Sequence, residues 1–218
     1  MNAGVELDHL VVAARTLDEG AAWCEATFGV SPGAGGRHPL MGTHNRLLPL
    51  GAGAYLEIIA IDPDAPAPQR VRWFDLDAPA MQQTLAAGPR LVHWVARCAA
   101  IDDVAARLRK VGADVGEIVG AERASATGLL RWRISVRADG VRLAGGALPA
   151  LIEWQGAHPA DAMDAPQLTL AALEVAGLDD ATWAALAPRN VRRRRDAPPL
   201  RAVFDSPNGR ITLDAPSS

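Results

Sequence analysis

The chain has 218 residues, of which 49% are hydrophobic and 22% are charged, a composition typical of a globular protein. Its formal net charge of −3 gives no electrostatic footprint for nucleic acid, and no apolar run approaches the roughly 18 residues that a membrane span requires. We therefore expect neither a nucleic-acid nor a membrane partner. A cytoplasmic location is expected, because the N-terminus carries no basic stretch followed by an apolar segment and a cleavage site.

The first part of the chain has the order strand, helix, strands. The run from Leu7 to Ala14 is short and apolar, as in a buried strand, and residues 19–28 have the pattern of a helix. After a loop rich in Gly and Pro, a clear strand runs from Tyr55 to Ile61. Residues 62–68 contain three prolines and cannot form regular structure, so we expect a first module at residues 5–62.

The same order of elements then restarts. Residues 91–99 have the pattern of a strand, and a helix that Gly112 ends follows it. Three further strands are predicted at residues 117–120, 129–137 and 148–154. We expect a second module at residues 69–160, so the chain contains an internal duplication of a βαβββ unit.

A third, shorter unit follows. It contains a strand at residues 168–175, a short helix, and a hairpin whose turn is Asn208-Gly209. We expect residues 166–215 to form a partial, β-rich module packed on the edge of the sheet. The sequence therefore predicts an α+β fold of two βαβββ modules and a partial third one.

The two modules carry the same ionisable residues at matching positions. Alignment of their first strands puts His93 on His9, and alignment of their last strands puts Glu153 on Glu57. All four have apolar neighbours, and one divalent cation would satisfy them together. Imidazole and carboxylate ligands suit Zn, Ni, Fe or Mn better than Ca or Mg. A hydrogen-bonded His and Glu cluster without metal is the alternative.

The motifs around these residues resemble those of the vicinal oxygen chelate superfamily, in its glyoxalase-like branch. The similar segments are LDHLVVAA near the start, residues 42–47 before the YLEII strand, and LPALIEW at residues 148–154. The resemblance implies that two βαβββ modules pair to form a cupped mixed sheet that holds a metal. As in glyoxalase I, the metal ligands would be His9, Glu57, His93 and Glu153.

Several further polar side chains are candidates for substrate binding, because Arg and His can hold a carboxylate or a phosphate. The candidates are His38, His44, Asn45, Arg46 and Arg72. The alternative is that they are loop residues with local hydrogen bonds. Trp154 is predicted to point away from the cup and to pack against helices, because it follows Glu153 along the strand.

The favoured function is a metal-dependent isomerase or lyase that acts on a small carbonyl or enediol substrate. In it, Glu153 or Glu57 would act as the catalytic base. One alternative is a metal-free protein that binds small molecules, similar to bleomycin-resistance proteins. Another is an Fe(II) extradiol-type dioxygenase, whose ligands would be His9, His93 and Glu153. A homodimer is left open, since the third unit can either block or create a dimer surface.

Overall fold

The computed structural model describes residues 4–125, 128–195 and 198–216. In chain order its strands and helices are β1 (Glu6–Ala13), α1 (Leu17–Phe28), β2 (Arg37–His38), β3 (Thr43–Gly51), β4 (Ala54–Ile61), α2 (Pro79–Ala86), β5 (Arg90–Arg97), α3 (Ile101–Lys110), β6 (Glu117–Ser125), β7 (Gly128–Val136), β8 (Ala150–Trp154), β9 (Thr169–Val175), α4 (Asp180–Leu186), β10 (Arg192–Arg193), β11 (Leu200–Ser206) and β12 (Gly209–Asp214). Within these ranges, no helix is long and apolar enough to cross a membrane.

Helix α1 shows how local sequence sets the elements of the first module. It begins after Thr16, whose hydroxyl accepts a hydrogen bond from the Glu19 amide at 3.1 Å. It ends at Gly29, where a φ of 75° favours a residue without a side chain. Its buried residues, Cys24 and Phe28 among them, pack on the sheet. The opposite side of the sheet is left for a site.

The main sheet is built from two related halves. Its strand order is β2-β3-β4-β1-β5-β8-β7-β6, so β1 and β5 meet at the centre as an antiparallel pair. In each half the first strand pairs in parallel with the last one, β1 with β4 and β5 with β8. The predicted α+β fold with two paired βαβββ modules in a mixed sheet is confirmed. The proposed module boundaries themselves stay predictions.

The C-terminal part forms a sheet of its own, with the order β10-β9-β11-β12. We expected it on the edge of the main sheet, but it packs on the helix side, where Phe204 contacts Phe28 with ring centroids 5.1 Å apart. The physical reason is the alternation along β9 and β11, which buries one apolar face in the same core as α1. This sheet therefore completes the hydrophobic core.

Candidate functional site

The concave side of the sheet encloses a small pocket, which we call the cup. It is lined by His9, His38, Asn45, Tyr55, Glu57, Trp73, Phe74, Arg123, Trp132, Ile134, Ile152 and Trp154. Its free space is about 30 Å³, which is room for about two water molecules. Polar groups, most of them from the first module, thus face aromatic and aliphatic groups across a narrow space.

Asp8 and His9 form a hydrogen-bonded pair at one wall of the cup. His9 Nδ1 lies 2.7 Å from Asp8 Oδ1, while Trp154 Nε1 and His158 Nε2 lie 2.9 and 3.1 Å from Asp8 Oδ2. Burial alone would raise the pKa of Asp8, but the hydrogen bonds from His158 and His9 hold it well below its ordinary value. Because this carboxylate can only accept, Nδ1 of His9 carries a proton, and in the neutral ring Nε2 is free to act as a base.

Glu57 forms the opposite wall, and a polar network fixes one of its oxygens. Asn45 Nδ2 donates to Glu57 Oε1 at 2.6 Å and also lies 3.2 Å from His38 Nε2. His38 Nδ1 lies 3.1 Å from the Thr43 hydroxyl, and burial lowers the pKa of His38 to about 4, so its ring is neutral at pH 7. The other oxygen of Glu57, Oε2, lies 3.6 Å from His9 Nε2. Two groups that can take up a proton therefore face each other across a short gap.

A β-bulge explains why Asp8 can contact His9 and Trp154, which line the cup. In the pairing of β1 with β5, Leu7 lies opposite Ala96 and His9 lies opposite Val95, so Asp8 is an extra residue. A bulge re-aims the side chain of the extra residue. The same pairing has a second bulge, where Val11 and the next residue lie opposite His93 and Leu91 and leave Val92 extra. The two halves share the bulge, but only the first half carries an acid there.

The structure does not bring Glu153 to the cup. Glu153 Oε2 accepts a hydrogen bond from the Ile101 amide at 2.8 Å, at the start of α3, and Oε1 lies 3.6 Å from Arg133. Its neighbours Ile152 and Trp154 line the cup instead.

The strand pairings match Glu57 to Ala150, because Glu57 lies opposite Val11 and Ala150 lies opposite the equivalent Val95. The sequence alignment, which put Glu153 there, was therefore wrong by three residues. An odd shift reverses the face, so the predicted position of Trp154 was wrong for the same reason.

His93 lies on the cup side but in a separate cavity of about 40 Å³. Its Nε2 accepts a hydrogen bond from the Ala150 amide at 3.0 Å, and burial lowers its pKa to about 3. Trp73 and Phe74 line both this cavity and the cup. Their rings form a series of contacts, with centroids 5.3 Å apart from His38 to Trp73, 5.2 Å from Trp73 to Phe74 and 5.0 Å from Phe74 to His93. This aromatic pair separates His93 from the cup.

The predicted metal ligands therefore do not form one donor set. His9 and Glu57 meet, His93 lies behind the aromatic pair, and Glu153 lies on the other face of the sheet. In the described part of the chain, no three His, Cys, Asp or Glu side chains are placed to hold a metal ion. The side chains present do not fit the four-ligand site that the resemblance implies.

The predicted substrate-binding residues divide into two groups. His38 and Asn45 line the cup, whereas three others lie elsewhere and are near acidic side chains. The nearest approaches are 3.9 Å from His44 to Asp62, 3.6 Å from Arg46 to Asp18 and 2.7 Å from Arg72 to Asp77. His44 and Arg46 alternate with Asn45 along β3 and so point to the opposite face.

Sequence reasoning missed several residues of the site, among them Asp8, Tyr55, Arg123 and His158. Tyr55 stacks on His9 with ring centroids 4.6 Å apart. The adjacent acid and histidine at positions 8 and 9 were a usable signal, because a buried carboxylate needs donors. Arg123 carries no such signal, since its position depends on how the two modules pack.

Two solved structures are among those similar to this chain. The chain shares 14% identity and a TM-score of 0.59 with a hypothetical protein from Staphylococcus aureus, over 96% of this chain and 86% of that one. With methylmalonyl-CoA epimerase from Mycobacterium tuberculosis it shares 18% identity and a TM-score of 0.43, over 75% of this chain and 96% of that one. A comparison with curated proteins finds no match.

The family of the chain follows from a match of its sequence to a family model. The family model described as a glyoxalase-like domain matches residues 7–190, which span both halves of the main sheet and reach into the C-terminal part. The chain therefore belongs to the glyoxalase-like domain family, with the fold of the vicinal oxygen chelate superfamily.

Proposed function

We propose that this protein is an enzyme that moves protons between neighbouring carbon and oxygen atoms of a small hydroxycarbonyl substrate. The observation that carries the proposal is the gap of 3.6 Å between His9 Nε2 and Glu57 Oε2. The other nitrogen of His9 is hydrogen-bonded to Asp8, and the other oxygen of Glu57 accepts a hydrogen bond from Asn45. Each wall of the gap thus offers one oriented proton acceptor, which general acid and base catalysis requires.

The chemistry follows from these two acceptors. His9 Nε2 takes the proton from the carbon that bears the hydroxyl group, the C–H electron pair forms a C=C bond, and the carbonyl π electrons move to oxygen. The product is an enediolate that still carries the hydroxyl proton, and Glu57 Oε2 transfers this proton to the negatively charged oxygen. The oxygen that loses the proton then forms the new carbonyl, and the C=C electron pair takes the proton back from His9 at the former carbonyl carbon. Asp8 stabilises the imidazolium that forms in between, as an orienting carboxylate does.

The aromatic side of the cup supports the same chemistry. The indole N–H of Trp73 is buried, and it has no hydrogen-bond partner among the residues that the structure describes. A substrate oxygen in the cup would satisfy this donor and share its developing negative charge with it. The surrounding Trp132, Ile134 and Ile152 exclude water, which strengthens that interaction.

The divalent metal that the family resemblance implies has no assembled donor set here, so no step is routed through it. A catalytic metal would supply Lewis-acid stabilisation of the enediolate. In this chain we assign that role to donors of the cup. We therefore expect activity to survive a chelator.

The test is hydrogen exchange at carbon, measured by NMR in D₂O with EDTA present. Dihydroxyacetone and hydroxypyruvate serve as probes, since both carry a CH₂OH group next to a carbonyl. We expect Glu57→Gln and His9→Gln each to slow the exchange by about 100-fold or more, because each removes an acid–base group. Glu25→Gln, an exposed change on α1, is the control and should leave the rate unchanged. Wild-type exchange no faster than that of the two variants would reject the enzyme.

A second candidate is the metal-free binding protein, which the aromatic lining of the cup favours. It predicts that the wild type binds the probes but exchanges no hydrogen.

A homodimer also stays a prediction, which light scattering on the purified protein checks.

A further inference from the structure

Arg123 lies where the cup meets a larger cleft. Its side chain lines both spaces, and the cleft has a volume of about 370 Å³ against about 30 Å³ in the cup. Gly35, Pro49, Leu130 and Pro159 are among the other residues that line the cleft. A molecule that reaches the cup from the cleft must pass the Arg123 guanidinium.

The positive charge of Arg123 has no acidic partner in the described part of the chain. Its one hydrogen bond there is from Nη1 to the Gly35 carbonyl, at the long distance of 3.5 Å. By contrast, Arg131 on the neighbouring strand has its Nε 3.1 Å from Glu122. The one acid that lines the cleft is Asp164, which is exposed. An arginine fork that is half-buried and unpaired at the mouth of a pocket is available to an anion.

The glycines opposite Arg123 make room for it. A Cβ atom on Gly36 would lie 2.6 Å from Nη1 and 2.9 Å from Cδ of Arg123. On Gly35 it would lie 2.2 Å from the Asn45 carbonyl oxygen. The glycine-rich loop at residues 33–36 therefore packs closely against Arg123 on one side. On the other side it packs against Asn45, which accepts a hydrogen bond from the Gly36 amide and donates one to Glu57.

We infer that Arg123 binds the anionic group, a carboxylate or a phosphate, of a substrate whose hydroxycarbonyl end enters the cup. This inference rests on the proposed function and names its substrate class. The cup has room for about two waters and so for only a few heavy atoms of a substrate. The anionic group must then stay at the mouth, where the guanidinium can form two parallel hydrogen bonds to it.

Three probes with the same HOCH₂–CO head test the inference. Hydroxypyruvate carries a carboxylate, dihydroxyacetone phosphate carries a phosphate, and dihydroxyacetone is neutral. Binding is followed by tryptophan fluorescence, because Trp73, Trp132 and Trp154 line the cup. We expect at least one anionic probe to bind about 10- to 100-fold more tightly than the neutral one, the size of a charge-assisted pair of hydrogen bonds. The better anion identifies the group.

Arg123→Gln should remove this preference, so that the anionic probes bind no more tightly than dihydroxyacetone. Arg131→Gln is the matched control, because Arg131 lies on the next strand and pairs with Glu122 instead. Gly36→Ala provides a second variant that keeps every charge. Its new methyl group should displace the guanidinium and weaken anion binding, with little change in melting temperature, because only a flexible side-chain end has to move.

Equal affinity of the wild type for all three probes, or an anion preference that persists in Arg123→Gln, overturns the inference. Failure of the proposed function looks different. In that case anionic probes bind through Arg123, but no hydrogen is exchanged. If the enzyme exchanges hydrogen in all three probes and binds them with equal affinity, the proposed function stands and the inference is wrong.

Discussion

At the scale of single residues, the alternation of side chains along a strand decided what could be predicted. It predicted correctly that His9 and Glu57 share the concave face, because β4 is regular there and β1 alternates regularly after its bulge at Asp8. It failed for Asp8, since the bulge turns this residue out of the alternation. A bulge arises from the pairing of two strands and leaves no mark in one strand alone.

Asp8→Asn tests the importance of this residue. The change keeps the shape of the side chain but leaves His9, His158 and Trp154 without the carboxylate that they surround. We expect the free energy of unfolding to fall by about 3 kcal/mol, the usual cost of breaking a buried charged network. Denaturant unfolding at pH 7 measures it, and Asp18→Asn, an exposed change, should have no comparable effect.

The same variant should show a characteristic dependence on pH. Folding lowers the pKa of Asp8, so its contribution to stability is complete above the pKa of the unfolded carboxyl group, about 4, and is lost as the pH falls towards the folded value. The stability difference between the wild type and Asp8→Asn should therefore shrink below about pH 4. A difference that stays constant down to pH 2.5 would contradict the role of the charge.

At the scale of elements, the order of strands and helices was predictable, but the register of one strand was not. Two strands with a glutamate between apolar residues look equivalent in sequence, yet Glu57 faces the cup on β4 and Glu153 faces α3 on β8. A shift by any odd number of residues reverses the face, and here the shift is three residues. The aromatic segment at residues 73–74 was also hidden, because Phe74 has a φ of 59° and follows no periodic pattern.

The variant Glu153→Ala distinguishes the role of Glu153 from that of Glu57. Glu153 accepts from the Ile101 amide at the N-terminus of α3, so its loss should cost about 1 kcal/mol of stability, as removal of a helix cap does. Binding and exchange in the cup should be unchanged, whereas Glu57→Gln should slow exchange by about 100-fold or more. Denaturant unfolding and the NMR assay on both variants provide the comparison. Loss of exchange in Glu153→Ala would restore the predicted ligand role of Glu153.

At the scale of the whole molecule, the two halves keep the same fold but differ in their polar side chains. Both halves retain the bulge and the histidine after it, but Val92 stands where the first half has Asp8, and Phe74 packs on His93. The sequence repeats predicted the paired architecture, because hydrophobic patterns of two units set it. The single polar cup could not be predicted, since it depends on contacts between segments far apart in the chain.

The C-terminal sheet gives the last prediction. Phe204 is fully buried against Phe28 of α1, so this sheet and the first module share one core. Phe204→Ala should lower the free energy of unfolding by about 3 to 5 kcal/mol, the usual effect of deleting a buried ring, and the protein should still unfold in a single transition. Val203→Ala, next to it on the outer, half-buried face, is the matched control and should cost far less. If Phe204→Ala instead produces two separate transitions in calorimetry, the C-terminal sheet folds on its own, and the main sheet holds the cup without its support.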